Sequence, residues 1–144
     1  MCLDTKIYRI IDANLNRSRE GLRVCEEIVR FVFDDAVLCA GFKRARHRVT
    51  AILKGLDINP ELLYVARDSN QDVGRSTQPS EKEREDLKGI FAANIQRVKE
   101  SIRVLEEFFK VIDSQASQAF KRLRFRIYNL EKQTFERFSA LRDY

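Results

Sequence analysis

The stretch ANLNRSREGLRVCEE, residues 13–27, decides how this chain is read, because residues 93–107 read ANIQRVKESIRVLEE. Eight of the fifteen positions are identical: Ala13/Ala93, Asn14/Asn94, Arg17/Arg97, Glu20/Glu100, Arg23/Arg103, Val24/Val104, Glu26/Glu106 and Glu27/Glu107. A repeat kept only for packing would preserve its apolar positions best. Here most identities are polar or charged. The apolar positions still carry the period of a buried helix face: Ile11, Leu15, Ser18, Leu22, Cys25, Val29 and Val32 step by four and three. Phe91, Ile95, Val98, Ile102, Leu105, Phe109 and Ile112 repeat the stripe.

Working outward, each long helix meets a polar break and then a second helix. The first break is FDDA, residues 33–36, followed by FKRARHRVTAIL, residues 42–53; the second is DSQAS, residues 113–117, followed by FKRLRFRIYNLEKQTFERF, residues 120–138. Phe42/Phe120, Lys43/Lys121, Arg44/Arg122, Arg46/Arg124 and Arg48/Arg126 coincide, now at an offset of 78 rather than 80, which places a two-residue difference in the connection between helices. Two such hairpins bury their apolar faces on each other. The expected fold is all-α: a helical bundle of two repeated helical hairpins with an internal pseudo-two-fold. One domain covers residues 1–144, with repeat one about 8–56, a long polar loop about 59–80 and repeat two about 81–142. The first helix is expected to begin between Asp4 and Asp12. Ser80 and Glu83 read as a capping box after Pro79, opening the third long helix.

Composition agrees with a helical domain. Gly and Pro are few, at five and two, and a third of the residues are charged. The opening MCLDTKIYRIID has no apolar run and no cleavage site, so no leader is expected, and no stretch approaches the roughly 20 apolar residues of a membrane span. Cys2, Cys25 and Cys39 lack metal-ligand spacing and read as reduced thiols of a cytoplasmic protein. The net charge of +5 points to anionic partners, phosphorylated small molecules or nucleic acid, without choosing between them.

The repeated polar residues carry the functional reading. Asn14 and Asn94 fall inside the apolar faces, with Gly21 and Ser101 leaving space beside them, and Arg17 and Arg97 fall at the face edges as half-buried guanidiniums. Two arrangements account for this. Either the asparagines bond each other while the arginines snorkel, or they line a polar pocket with arginines placed for bidentate bonds to phosphate or carboxylate. Glu20, Arg23 and Glu27, with Glu100, Arg103 and Glu107, form either an exposed ion-pair ladder or, for Glu20 and Glu100, magnesium ligands or a base. In the inter-repeat loop, RDSNQDVG (residues 67–74) holds Asp68 and Asp72 as hard oxygen ligands suited to magnesium. Gly74 there allows close backbone approach to an oxyanion, and Arg67 and Arg75 add charge. Neither a Walker loop nor GxGxxG occurs. His47, the single histidine, is expected at the surface, and the basic runs KRARHR and KRLRFR read as solvated faces paired with neighbouring acids.

Three stretches in order, DANLNRSREGLRVCEE (residues 12–27), RDSNQDVG and ANIQRVKESIRVLEEFFK (residues 93–110), resemble a small family of hydroxymethylpyrimidine phosphate kinases. That family occurs alone or fused ahead of thiamine-phosphate synthase. RFRIYNLEK (residues 124–132) also resembles the close of that domain, and no synthase barrel follows Tyr144, as expected of a stand-alone member or an excised domain. The resemblance implies ATP-dependent phosphorylation of 4-amino-5-hydroxymethyl-2-methylpyrimidine phosphate to its diphosphate, in thiamine biosynthesis, with a functional link to thiamine-phosphate synthase. Departures are small: Cys25 replaces an apolar residue, Glu27 stands where Asp is common and Ser69 where Thr is common. Under this reading Arg17, Arg97, Glu20 and Glu100 act at the reaction centre. Asn14, Asn94, Arg67, Gly74, Arg23 and Arg103 bind substrate or phosphate, and Asp68 and Asp72 hold Mg2+ beside ATP. The partners are a phosphorylated pyrimidine and a nucleotide, with no membrane and no nucleic acid; a homodimer is compatible with a bundle of this size. Two alternatives stand beside it: a chorismate-mutase-like isomerase whose arginines clamp a dicarboxylate, and a helical anion- or nucleic-acid-binding regulatory module.

Overall fold

A computed structural model of the chain describes residues 3–56, 58–76 and 83–141, and the described residues are helical with no strand. Among the described residues there are five α-helices: α1 (Leu3–Phe31), α2 (Ala36–Lys54), α3 (Pro60–Ala66), α4 (Leu87–Phe109) and α5 (Ser114–Leu141). A 3-10 turn, Ser69–Gln71, follows α3. The four long helices form a ring in which α1 packs on α2 and α4, and α5 packs on α4 and α2, while α3 leans on α1. This is the expected bundle of two hairpins.

The core is built from the repeated stripes. Leu15, Leu22, Cys25 and Val29 of α1 meet Ile95, Val98, Ile102 and Leu105 of α4, all essentially inaccessible to solvent. Each large aliphatic or aromatic side chain removed from water in this way stabilises the fold by about 1.5–3 kcal/mol before entropic costs. Phe91 meets Phe42, Phe135 and Phe138, and Phe33 stacks edge-on against Phe138 at 4.8 Å. Those contacts join the end of α1 to the start of α4, so the two central helices are antiparallel. The buried stripe is shorter than its spacing predicts. Val32 and Ile112 are 40% and 38% exposed, because α1 and α4 have already ended before them.

Side-chain caps explain where the helices start. Asp35 and Asp113, at the offset of 78, accept the backbone N–H groups of Leu38 at 2.9 Å and Ala116 at 3.0 Å, as N-cap carboxylates do. Asp34 precedes the first cap at φ 49°, a left-handed position that aspartate tolerates better than most residues. The connections, residues 32–35 and 110–113, are equal in length. The two-residue offset therefore does not lie in the connection, as expected, but at the end of α1, which runs further past the repeated stretch than α4 does. The expected capping box is also corrected. Ser80 and Pro79 lie outside the described residues, Glu83 is not helical, and α4 starts at Leu87 with Asp86 accepting from Gly89 N at 2.7 Å. The carboxylate immediately before the apolar stripe caps it.

Gly21 and Gly41 set how closely the helices approach. A Cβ on Gly21 would fall 2.6 Å from Val98 Cγ2 and 3.1 Å from the Asn94 carbonyl; one on Gly41 would fall 2.6 Å from Leu130 Cδ2. The repeat counterparts of Gly21 and Val98 are Ser101 and Ser18, both buried. One crossing of α1 and α4 thus sets glycine against valine, and its pseudo-symmetric partner carries two serines.

Candidate functional site

The repeated polar residues separate into those that build the hairpins and those that are left free. Glu26 and Glu106 are buried, at 2% and 4% exposure. Arg46 from α2 binds Glu26 through Nε at 3.1 Å, and Arg124 from α5 binds Glu106 through Nε at 3.1 Å. Arg23 spans Glu26 and Glu27 at 3.4 and 3.2 Å, and Arg103 spans Glu106 and Glu107 at 3.5 and 3.0 Å. Each half therefore ties its two helices together with one buried carboxylate held by two guanidiniums. Arg23 and Arg103, read as phosphate ligands, have their charge engaged in this clasp. Burial works against the charged form of Arg124, but its bonds to Tyr128 and Glu106 prevail and raise its pKa above the ordinary arginine range.

Asn14 and Asn94 do not bond each other. Each donates its amide to the carbonyl one turn back on its own helix, Ile10 and Ile90, both at 2.8 Å. The same bond in the two halves uses one of the two N–H groups of each amide. Arg17 and Arg97, expected to be half-buried, are exposed. An exposed guanidinium is solvated without cost.

Gly21 packed on Val98 and Asn94 fixes the register of the crossing. Continued along the helices, that register sets Arg17 level with Glu100 and Glu20 level with Arg97, and all four are exposed. Among the described residues, Arg17, Arg97 and Glu20 make no hydrogen bond or ion pair, and Glu100 accepts only from Gln96, at 3.0 Å. Two guanidiniums and two carboxylates, one of each per repeat, are thus exposed on α1 and α4. Both buried glutamates and both asparagines lie on the same two helices.

The loop between the repeats is tied to α1 by a contact that the sequence reading missed. Arg67 makes a bidentate bond to Asp12, Nε and Nη2 each donating at 2.7 Å to one carboxylate oxygen. Asp12 is 5% exposed, and its bonds raise the pKa of Arg67. Arg9 also donates to the Asp68 carbonyl at 3.3 Å. Arg67, read as a phosphate ligand, here acts as the loop's strap. No repeat signal could reveal this, because the counterpart of Asp12 is Ala92 and the loop follows only the first half.

Asp68 and Asp72 each use one oxygen to hold the loop's own backbone, Gln71 N at 3.2 Å and Gly74 N at 2.9 Å. The second oxygen of each makes no hydrogen bond among the described residues. Among the described residues no group of three or more metal-ligating side chains occurs. That suits magnesium only in the form it commonly takes, bound by one or two carboxylates with phosphate and water completing the shell. Arg9 and Arg17 are about 12 Å apart along the helix axis. The loop therefore meets α1 about two turns before Arg17, and neither loop carboxylate contacts Arg17 or Arg97.

The two halves differ beside their clasps. On the second, a cleft of about 520 Å3 between α4 and α5 is lined by Lys99, Glu100, Arg103, Arg124 and Tyr128 among others. Lys99 pairs with Glu131 at 2.8 Å and lies 5.6 Å from the Tyr128 ring. Phe125 is 52% exposed and meets Tyr128 edge-on at 5.8 Å. The counterparts in the first half are His47, which is exposed as expected, and Thr50, which accepts from Arg19 at 3.3 Å. Cys25 is buried, and burial pushes its thiol up to about 12, out of reach of nucleophilic chemistry near neutrality.

The asparagine-arginine repeat, the loop and the basic second helices coincide with a known family. The model of the ThiD2 family matches residues 9–133. The chain belongs to the ThiD2 family. It is 41% identical over 128 residues to a thiamine-phosphate synthase of Thermosynechococcus vestitus, covering 88% of this chain and 35% of that protein. With a thiamine-phosphate synthase of Nostoc punctiforme it shares 42% over 126 residues, covering 87% and 34%. The value for one of Rhodopirellula baltica is 37% over 123 residues, covering 85% and 32%. This ThiD2-family chain thus spans about a third of the length of the relatives it matches. No solved structure matches it. Among the described residues no helix is long and apolar enough to cross a membrane.

Proposed function

We propose that this ThiD2-family chain works in thiamine biosynthesis as a phosphotransferase, converting 4-amino-5-hydroxymethyl-2-methylpyrimidine phosphate to the diphosphate with ATP. The observation that carries the reading is the pair Arg17 and Arg97. They are identical in both repeats, unpartnered among the described residues, and exposed on α1 and α4, as Glu20 and Glu100 are. Similarity to proteins named thiamine-phosphate synthase supports the pathway.

The chemistry suits these residues. The acceptor is a phosphate oxygen that is already ionised near neutrality. It attacks the γ-phosphorus of ATP, the bond from that phosphorus to the bridging oxygen breaks, and ADP leaves with the electron pair. No proton has to be removed, so no histidine or carboxylate base is required, and Glu20 and Glu100 are free to serve the metal or the solvent shell. Positioning and neutralisation of negative charge dominate such a transfer. Arg17 and Arg97 bind one phosphate group each, bidentately, one on the acceptor and one on the nucleotide. Asn14 and Asn94 present a carbonyl oxygen beside them, which orients the amino group of the pyrimidine or a ribose hydroxyl. Asp68 and Asp72 would hold magnesium, which would supply neutralisation of phosphate charge. Preference for the phosphorylated pyrimidine comes from what an arginine gains by binding phosphate.

The test is ADP formation by the purified chain with ATP and magnesium, comparing hydroxymethylpyrimidine phosphate with the dephosphorylated alcohol. Turnover confined to the phosphate ester is expected. Turnover of neither by folded protein would overturn the proposal.

A further inference from the structure

The second helices carry a second set of free arginines, on the opposite face of the bundle. Helix α2 has five Lys or Arg residues and no Asp or Glu, and α5 has no acid before Glu131. In each K-R-x-R-x-R run the middle arginine is accounted for: Arg46 and Arg124 hold the buried glutamates. The flanking pairs, Arg44 and Arg48 with Arg122 and Arg126, are exposed and have no ion pair or hydrogen bond among the described residues. The expectation that neighbouring acids pair with them is not met.

These four converge on one place. Two contacts set the antiparallel register of α2 and α5: Asp35 to Arg137 at 3.4 Å, and Gly41 against Leu130. Continued along the helices, that register puts Arg44 level with Arg126 and Arg48 level with Arg122. Arg44 and Arg48 follow Gly41 at the third and seventh positions, on the edge of α2 that meets α5, and their counterparts follow Ala119 in the same way. Four residues of helix span about 6 Å, and packed helices lie about 8–10 Å apart, so the four Cα atoms frame a compact quadrilateral. Like charges four apart on a helix repel. Both halves nevertheless carry this pair at the same place.

We propose that the outer face of α2 and α5 binds an oligophosphate chain, the moiety shared by nucleoside triphosphates and inorganic polyphosphates. Guanidiniums match phosphate oxygens bidentately, and four of them around a frame of this size surround two or three linked phosphates. An extended nucleic-acid track would need the basic row to continue along the helices. Lys43 and Lys121 instead turn about 100° away from their neighbouring arginines. The ligand would bridge α2 of one repeat to α5 of the other, across the bundle from Arg17 and Arg97. The inference is independent of the kinase reading.

The experiment is calorimetric titration of the intact chain with sodium tripolyphosphate, followed by displacement with ATP, with orthophosphate and a short duplex DNA as comparisons. Tripolyphosphate is expected to bind, ATP to displace it, and orthophosphate to bind far more weakly. R44Q/R122Q should weaken tripolyphosphate at least about tenfold, whereas K43Q/K121Q, with the same loss of charge off this face, should change it less than about twofold. Circular dichroism would confirm that both variants are folded. In the R17Q/R97Q background, which lacks the phosphate ligands of the proposed reaction centre, tripolyphosphate should still bind and R44Q/R122Q should still weaken it at least about tenfold, which separates this site from that one. Equal weakening by both double variants, loss in R17Q/R97Q, ATP binding without tripolyphosphate binding, or duplex binding tighter than tripolyphosphate would each overturn the proposal.

Discussion

The two hairpins share a clasp and differ in what surrounds it. In both, a buried glutamate is held by the arginine three residues before it and by an arginine from the second helix. In the first hairpin the neighbouring surface is Arg19, His47 and Thr50; in the second it is Lys99, Phe125 and Tyr128, beside a cleft. What the repeat preserves is therefore of two kinds. Some identities hold each hairpin together, and others, Asn14, Arg17 and Glu20 with their counterparts, carry the same groups on α1 and α4. Where the halves diverge, the second gains aromatic surface. A site built from both halves would be symmetric in its charges and asymmetric in its apolar contacts, as a reaction with two different phosphorylated substrates requires.

The clasps give the largest expected effect and the sharpest test of equivalence. Arg46→Ala and Arg124→Ala should each cost about 3–5 kcal/mol in chemical denaturation, since each leaves a buried carboxylate with one flanking partner. Similar losses would support equivalent clasps; a loss below about 1 kcal/mol in one half alone would break the comparison.

The crossing of α1 and α4 gives the next effect. Gly21→Ser drives a side chain into Val98 and the Asn94 carbonyl and should cost about 1–3 kcal/mol. Adding Val98→Ser recreates the pair that Ser101 and Ser18 form in the other half. The double variant should then be less destabilised than the sum of the singles, a coupling read from a double-mutant cycle. Strict additivity would mean that the two crossings do not match.

An effect of similar size is expected at a contact that the second repeat lacks. Arg67→Ala leaves Asp12 buried without its bidentate partner and should cost about 1–3 kcal/mol. The same change should speed proteolytic cutting within residues 67–76, with no change at the turn of residues 110–113. Unchanged cutting would show that the strap does not hold the loop.

Much of this was legible in the sequence because repetition separates signal from composition. The bundle, the pseudo-two-fold, the burial of Asn14 and the exposure of His47 follow from spacing alone. The clasps could have been found, since Glu26/Glu106 and Arg46/Arg124 are identities in both helices, but their pairing is a tertiary contact that periodicity cannot see. Ser80 and Glu83 fit a capping pattern, yet Asp86 stands nearer the apolar stripe and caps it. Arg17 and Arg97 were placed at the edge of the apolar face. An arginine stem reaches past that edge to water, so an angle on a helix does not fix the burial of its head group. The strap of Arg67 on Asp12 had no repeat to point to it.

The central claim is that the two repeats divide two phosphorylated substrates between Arg17 and Arg97. The most direct measurement is steady-state kinetics of Arg17→Ala and Arg97→Ala, varying ATP and hydroxymethylpyrimidine phosphate in turn. Both variants should lose activity, one chiefly through a higher KM for the nucleotide and the other through a higher KM for the pyrimidine phosphate. Identical defects in the two variants, or activity unchanged in either, would contradict it.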